Sequence, residues 1–145
     1  MFLGKFSRTL DTKSRFSLPT PFREQTSGGV YITQGFDRNL QVLPSSAFQE
    51  VSRRIMSLNI ADPLARLMLR LFLGTATRMG AEPSNHLAIP ADLKDYANLR
   101  EDILLIGQGD YFEIWAPELW AKQQTQINDA ETNSSRFTML TVATR

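Results

Sequence analysis

The feature that most constrains the fold of this chain is an internal repeat. When the sequence is shifted by 71 positions, "LDTKSRFSLP" (residues 10–19) lies on "AEPSNHLAIP" (residues 81–90); only the proline is identical, but most positions keep their residue class. A second pair follows in the same order, "VYITQGFDRNLQVLP" (residues 30–44) and "LLIGQGDYFEIWAP" (residues 104–117), with Gln-Gly at the same place in each. Two matches in one order indicate duplication, so the fold must contain two similar halves.

Each half predicts the same supersecondary unit. In the first half, short β-prone runs at 6–11 and 15–18 flank the polar turn "DTKS", which predicts a hairpin. Pro19 ends the second run because proline has no N–H to donate to a ladder. A short helix in "TPFREQ" and strands at 29–34 and 40–43 follow. The second half repeats this order, with a hairpin around "EPSN", a helix in "ADLKDYANL" and strands in "DILLIGQ" and "YFEIWA".

Further helices are predicted between the halves. Ser45 or Ser46 is a suitable N-cap for the segment "PSSAFQEVSRRIMSL". The segment "DPLARLMLRLFLG" carries Asp62 as N-cap, Pro63 at its first position and Gly74 past its end. The apolar face of this second helix is expected to be packing surface and consists of Leu64, Leu67, Met68, Leu71 and Phe72.

Together these elements predict a single domain of the α+β class. Its expected boundaries are 1–129 for the domain, about 5–47 and 76–120 for the repeats, about 46–74 for the connecting helices and 130–145 for a polar tail. The tail is expected to be loosely ordered, with a strand near 137–142, and "PELWAKQQTQIND" predicts a helix before it. Each half is too small to bury a sufficient core alone. The halves are therefore expected to interleave as a pseudo-dimer.

Composition excludes most enzyme and metal chemistry. The 145 residues contain no cysteine, so disulfides and thiolate ligands are excluded, and His86 is the one histidine, so a multi-histidine metal site cannot form. Ser14, Ser17 and Ser84 lack the context of a nucleophile elbow, and the carboxylates form no acid–base pair. We therefore predict no enzymatic activity, no cofactor and no metal. Without a long apolar run, the chain is expected to be cytoplasmic and not membrane-bound.

Charge is unevenly distributed along the chain. Residues 1–23 carry a net charge of +4 and residues 82–102 a net charge of −3, although the whole chain carries only +1. A basic block is often a solvated face, but a surface that binds a polyanion also requires one. Charge alone leaves both interpretations open.

The basic hairpin is the strongest candidate for a binding site. Lys13 and Arg15 flank the turn, where β alternation sends both to one face, and Arg8 on the preceding strand can join them. A twisted β-ribbon can enter the DNA major groove, where arginine forms bidentate contacts with guanine. Alternatively, Arg15 only pairs with Asp11 across the turn, where an exposed salt bridge contributes about 0–1 kcal/mol.

Three segments resemble the MraZ family of bacterial transcription regulators. "MFLGKFSRTLDTKSRFSLPTPFRE" is similar to the family's N-terminal signature, "LARLMLRLFLGTA" to the arginine-containing helix between its repeats, and "LLIGQGDYFEIWAPELW" to its second-half signature. The resemblance covers about residues 1–122 in the expected order. It implies an intertwined, AbrB-like double-hairpin β-barrel pseudo-dimer with flanking helices.

The resemblance also implies a function and a setting. Members are expected to assemble into homo-oligomeric rings that bind double-stranded DNA at short direct repeats upstream of their own gene. That gene lies at the head of the division and cell-wall gene cluster. Repression is the usual outcome, and the protein is expected in the cytoplasm, associated with the nucleoid.

The family motif can be carried onto this chain residue by residue. It falls on Asp11, Lys13, Arg15 and Pro19 in the first half, and on Glu82, His86 and Pro90 in the second. We expect the first copy to make the DNA contacts. Arg15 would read base edges, and the predicted phosphate contacts are Lys5, Arg8 and Lys13.

The chain departs from the family pattern at both turns. Where both copies commonly read D-x-x-G-R, this chain has Ser14 and Asn85 in place of glycine. Asparagine tolerates a left-handed backbone better than serine, so the first turn is expected to differ in geometry. His86 stands in place of the second arginine, and an imidazole lacks the permanent charge with which a guanidinium attracts phosphates. The second copy is therefore expected to supply chiefly shape.

Two other functions remain open. One is a ring scaffold that holds a protein partner from the same gene cluster without contacting DNA. The other is an AbrB-like antitoxin, whose hairpin binds DNA while an adjacent tail blocks a toxin. A steep salt dependence of DNA affinity separates the regulator from the scaffold. The duplication within one chain favours the regulator over the antitoxin.

Overall fold

The computed structural model describes residues 1–80 and 85–140, so Glu82 and most of the predicted "EPSN" turn lie outside it. No helix within these ranges has the length and apolar character that crossing a bilayer requires. The elements in these ranges are, in chain order, β1 (Lys5–Thr9), β2 (Arg15–Ser17), α1 (Thr20–Thr26), β3 (Val30–Gln34), β4 (Leu40–Pro44), α2 (Ser45–Met56), α3 (Pro63–Phe72), β5 (Thr77–Met79), β6 (His86–Ala88), α4 (Ala91–Tyr96), β7 (Asp102–Gly107), β8 (Phe112–Trp115), α5 (Pro117–Ile127) and α6 (Ala130–Phe137).

Six strands form one antiparallel sheet in the order β1-β7-β8-β4-β3-β5, and β2 and β6 form a separate two-stranded sheet. This order is symmetric: if it is reversed and β1 is exchanged with β5, β3 with β7 and β4 with β8, the same order results. β1 of the first half pairs with β7 of the second, with Lys5 opposite Ile106, and β5 of the second pairs with β3 of the first, with Met79 opposite Val30. The two halves are therefore interleaved, as the sequence predicts.

The strands around each turn do not pair with each other, so the prediction of hairpins within each half is wrong for the described residues. β2 pairs instead with β6 of the other half, and Phe16 lies opposite Leu87. Each of these three-residue strands has one buried side chain, its central one, and pairing across the halves brings the two together. Periodicity cannot specify this exchange, because it fixes which face of a strand is apolar and not which strand lies beside it.

The residues that replace glycine, one from each turn, have the same φ, so the expected difference is wrong at this position. Ser14 and Asn85 both have a φ of 59°, in the left-handed region that glycine usually occupies. The Ile89 N–H donates to the Ser14 carbonyl and the Leu18 N–H to the Asn85 carbonyl, both at 2.9 Å. Each turn residue thus accepts a bond from the other half, and this pairing holds serine in a conformation that its local preference disfavours.

Aromatic side chains form the centre of the main core. The Phe22 ring of α1 lies 4.9 Å from the Phe2 ring, 5.2 Å from the Phe6 ring and 5.0 Å from the Phe112 ring, measured between ring centroids. Phe2, Phe22 and Phe112 are buried, and Phe6 packs against them from β1. The cluster joins the N-terminal segment and α1 of the first half to β8 of the second, so the halves share one core.

The helices between the halves begin differently. α3 begins as predicted, because the Asp62 carboxylate accepts a hydrogen bond from the Leu64 N–H at 2.8 Å. α2 does not use a serine N-cap; its first residue is Ser45 and Pro44 occupies the cap position without a side-chain bond. The serine prediction is therefore wrong by one position, since the helix follows directly from the end of β4.

Only part of the apolar face of α3 is packed. Phe72 is buried, and Met68 and Leu71 pack around it as partly buried side chains. Leu64 and Leu67, which lie nearer the start of the helix, are 70% and 60% exposed. The predicted packing surface is thus confirmed at the end of α3, and the start of α3 presents apolar side chains to solvent.

The C-terminal segment begins as a helix, where the sequence predicts a loosely ordered tail. α6 starts after Asp129, whose carboxylate accepts a hydrogen bond from the Thr132 N–H. The buried Asn133 donates its side-chain amide to two carbonyls at the end of α5, at 2.7 and 3.1 Å, and so ties the two helices together. The strand predicted near 137–142 is wrong as far as residue 140, and its remainder lies outside the described residues.

Candidate nucleic-acid interface

The two-stranded β2–β6 sheet carries one residue from each copy of the family motif, Arg15 and His86. Ser17 lies opposite His86, and Arg15 precedes Ser17 by two positions. Because side chains alternate along a strand, these three lie on one face, while Phe16 and Leu87 are buried on the other. Arg15 and His86 are therefore diagonal neighbours, a relation in which Cα atoms lie about 7–8 Å apart. The two motif copies thus meet on one surface.

Asp11 organises the turn that precedes Arg15. One oxygen of its carboxylate accepts hydrogen bonds from the backbone N–H groups of Lys13 and Arg15, at 2.8 and 2.9 Å. The other accepts a bond from Arg15 Nε at 2.9 Å, in a pair whose side chains are 39% and 35% exposed. The ion pair between Asp11 and Arg15, which was the alternative to a DNA contact, is therefore present. It also fixes the direction of the Arg15 side chain.

Arg8 connects β1 to β2 through its side chain. Its Nε donates to the Ser17 carbonyl at 2.9 Å, and one terminal nitrogen donates to the Ser7 carbonyl at 2.8 Å. The guanidinium also lies 5.9 Å from the centroid of the Phe6 ring. The bond to Ser17 links two strands that share no ladder and gives Arg8 a structural role. Its predicted phosphate contact stays a prediction.

The two predicted lysines lie at different places. Lys13 is exposed within the turn, next to Arg15. Lys5 is also exposed, but it lies at the start of β1, at the opposite end of that strand from the turn. The structure thus brings Lys13 and Arg15 together and does not bring Lys5 to them.

The motif prolines have matching structural roles. Pro19 and Pro90 follow β2 and β6, and each occupies the N-cap position of the helix after it. Their backbone angles are φ −55° and ψ 142° at Pro19, and φ −59° and ψ 145° at Pro90. Both prolines end a strand, as predicted, and turn the chain into α1 or α4.

Sequence reasoning missed Lys94 as a neighbour of the basic turn. Because β6 pairs with β2, α4 of the second half stands beside the first turn, and Lys94 Nζ donates to the Ser14 hydroxyl at 2.9 Å. A lysine from the segment of net charge −3 thus joins Lys13. The 71-residue shift lays Arg23 on Lys94, but it does not reveal this contact, which depends on the exchange of strands between the halves.

The described part of the ribbon surface carries hydrogen-bond donors and no cluster of metal ligands. Within residues 1–80 and 85–140, no three His, Cys, Asp or Glu side chains lie close enough together to hold a metal ion. Besides the Asp11 carboxylate, which is bonded within the turn, the polar groups on the outer face of the β2–β6 sheet and its turn are a guanidinium, ammonium groups, an imidazole and hydroxyls. Such groups donate hydrogen bonds to anionic oxygens and to the acceptor atoms of base edges.

The Asp11 carboxylate makes the turn sensitive to acid. The backbone N–H of Arg15, followed by the Arg15 guanidinium and the Lys13 N–H, lowers the pKa of Asp11 below its usual value of about 3.9. A lowered pKa in the folded state means that the carboxylate stabilises the turn above about pH 4 and that this stabilisation is lost as the pH falls through the lower value. We expect the NMR signals of the Lys13 and Arg15 amides to titrate together in that acidic range.

The control for this titration is Asp11→Asn, which removes the ionisable group and keeps an oxygen acceptor. Both amide signals are expected to lose their acidic transition in this variant. A transition that persists in Asp11→Asn would assign it to another group and contradict the role of Asp11.

The family model described as "MraZ protein, putative antitoxin-like" matches residues 1–71 and 73–141 of the chain. The two matches divide at residue 72, the last residue of α3, so each covers one of the two interleaved halves.

Curated relatives carry one name, "Transcriptional regulator MraZ". The protein from Thermomicrobium roseum is 37% identical over 123 residues, which cover 85% of this chain and 87% of the relative. The relative from Roseiflexus sp. (strain RS-1) is 34% identical over 137 residues, which cover 94% of each chain. The relative from Mycolicibacterium smegmatis is 35% identical over 124 residues, which cover 86% of this chain and 87% of the relative. This name describes a regulator and not an enzyme, which agrees with the prediction of no enzymatic activity. Both halves match the family model and most of the chain aligns with these relatives, so the chain belongs to the MraZ family.

Proposed function

We propose that this protein is a sequence-specific regulator of transcription that binds double-stranded DNA through the β2–β6 sheet. The observation that carries the proposal is the outer face of this sheet, where Arg15 and His86 are diagonal neighbours and Lys13 is exposed at the adjoining turn. A two-stranded ribbon fits the major groove, which is about 12 Å wide. The regulator name of the relatives supports the same function.

The side chains of the ribbon have different tasks in this proposal. Arg15 reads base edges, and its bond to Asp11 holds the guanidinium in one direction before DNA arrives. Such preorganisation reduces the entropy lost on binding. Lys13 meets a phosphate from the turn, and Lys5 and Arg8 are further phosphate contacts, Arg8 from a position already tied to the ribbon backbone.

A homo-oligomeric ring supplies the affinity that one ribbon lacks. Self-association is supported by exposed apolar side chains on α2, on α3 and between them, namely Met56, Leu58, Ile60, Leu64 and Leu67. Several copies that engage successive direct repeats raise avidity by about 10²–10⁴ when the ribbons match the spacing of the repeats. Assembly is thus part of recognition.

The finer assignments follow from the resemblance to the family. They are repression, an operator of direct repeats upstream of the protein's own gene in the division and cell-wall cluster, and a place in the cytoplasm on the nucleoid. The AbrB-like double-hairpin barrel belongs with them. The exchange of strands between the halves supports it, because swapped pairing is the defining feature of that architecture.

The proposal is tested by fluorescence anisotropy on a duplex from the region upstream of the gene, titrated at salt concentrations between about 50 and 200 mM. With the three phosphate contacts proposed per copy, from Lys13, Lys5 and Arg8, the slope of log affinity against log salt is expected to be about −2.7 per engaged copy. A scrambled duplex of equal length is expected to bind roughly 10³-fold more weakly. Absence of binding, or binding that ignores salt and sequence, would reject the regulator in favour of the protein scaffold.

A further inference from the structure

Lys94 is held against the first-half turn by the fold itself. Its ammonium lies 2.9 Å from the Ser14 hydroxyl, and both residues are half-buried. The Ile89 N–H bonds to the Ser14 carbonyl at 2.9 Å, and Pro90 then directs the chain into α4, which carries Lys94. The position of the ammonium is therefore set by short connections to the ribbon, and less of its motion remains to be lost when a ligand binds.

Lys94 and Lys13 line one surface pocket of about 350 Å³. The other polar residues that line it are Thr12, Ser14 and Asp95. Two ammonium groups against one carboxylate give this described lining a net positive charge. The hydroxyl that Lys94 contacts is neutral, so their hydrogen bond does not compensate the charge of the ammonium. Ammonium groups beside hydroxyls are a donor set that binds phosphate oxygens.

We propose that Lys94 and Lys13 form a composite phosphate-binding site, assembled from both halves, for two adjacent DNA backbone phosphates, one for each ammonium, next to the base edge that Arg15 contacts. The inference rests on the proposed function and adds the contribution of the second half to it. The second half then supplies a charge as well as the shape of the ribbon. Neither lysine can be assigned to this site from its own half alone, since the pocket exists only where α4 meets the first turn.

The test uses the salt dependence of DNA affinity, which a merely structural contact does not change. Lys94→Met removes the charge, Lys94→Arg keeps it, and Lys122→Met removes the charge of an exposed lysine on α5 as a matched control. Loss of one phosphate contact lowers the magnitude of the log–log slope by about 0.9 per engaged copy. Between about 50 and 200 mM salt, wild type is then expected to lose roughly three- to fourfold more affinity per engaged copy than Lys94→Met does.

The expected pattern is a reduced slope in Lys94→Met, a slope close to that of wild type in Lys94→Arg, and an unchanged slope in Lys122→Met. A slope in Lys94→Met equal to that of wild type overturns the inference and leaves the regulator intact. Weaker binding of Lys94→Met with an unchanged slope also overturns it, because Lys94 then acts only by positioning the turn. A wild-type protein that does not bind the duplex rejects the proposed function and the inference together.

Discussion

Replacing Arg15 with alanine is expected to weaken binding to the proposed direct-repeat duplex by roughly 30- to 10⁴-fold. A bidentate contact of arginine to a base contributes about 1–3 kcal/mol of discrimination. If two copies engage two repeats, the loss is about 2–6 kcal/mol, and each 1.4 kcal/mol is about tenfold in affinity. The contact specifies sequence as well as affinity, so the preference over a scrambled duplex is expected to fall in parallel.

Arg53→Ala provides the matched control for this experiment. Arg53 is also an arginine in an ion pair within the chain, 2.7 Å from Glu50, but its side chain is 68% exposed on α2. Its removal is expected to leave affinity and sequence preference within about twofold of wild type, as for surface substitutions away from special features. Equal effects of Arg53→Ala and Arg15→Ala would mean that Arg15 contributes only general charge, and the base-reading role would be wrong.

Phe22→Ala is expected to cause the largest loss of stability among single substitutions in the shared core. The ring is fully buried and contacts three other phenylalanine rings, from the N-terminal segment, β1 and β8. Truncation of a buried phenylalanine costs about 3–5 kcal/mol through lost burial and the cavity that remains. Since a domain is stable by about 5–15 kcal/mol, Tm is expected to fall by roughly 10 °C or more.

The measurement is urea unfolding at one fixed protein concentration, because the proposed self-association would make apparent stability depend on concentration. Phe36→Ala removes the same side chain at a position that is 56% exposed and is expected to change the free energy of unfolding by no more than about 0.5 kcal/mol. A loss below about 1 kcal/mol in Phe22→Ala would show that the halves do not depend on this cluster for their union.

Much of the candidate site could be predicted from local sequence. The turn at "DTKS", the ends of two strands at Pro19 and Pro90, and the pairing of Asp11 with Arg15 each depend on residues that lie within a few positions of one another. The sequence prediction did not include the N-cap of α6, although its signal is local. The Asp129 carboxylate accepts a hydrogen bond from the N–H of Thr132, only three residues later. The polar composition of the segment predicts a loosely ordered tail instead.

The contacts that complete the site join residues far apart in the chain. Lys94 and Ser14 are separated by 80 positions, yet their side chains are bonded. Ser14 takes the left-handed φ expected of glycine because its carbonyl is fixed by Ile89 from the other half. The local sequence around Lys94 or Ser14 does not indicate which residue each one contacts.

The sequence by itself determined that this chain consists of two related halves of the α+β class, where their strands and turns lie, and that its positive charge is concentrated in the first half. These properties depend on periodicity, residue class and neighbours along the chain. Only the tertiary structure decided that β2 pairs with β6, that His86 lies beside Arg15, and that Lys94 reaches the first turn. The reason is physical: an apolar pattern states which face of a strand must be buried, whereas the choice of a partner strand depends on the shared core that both halves build together.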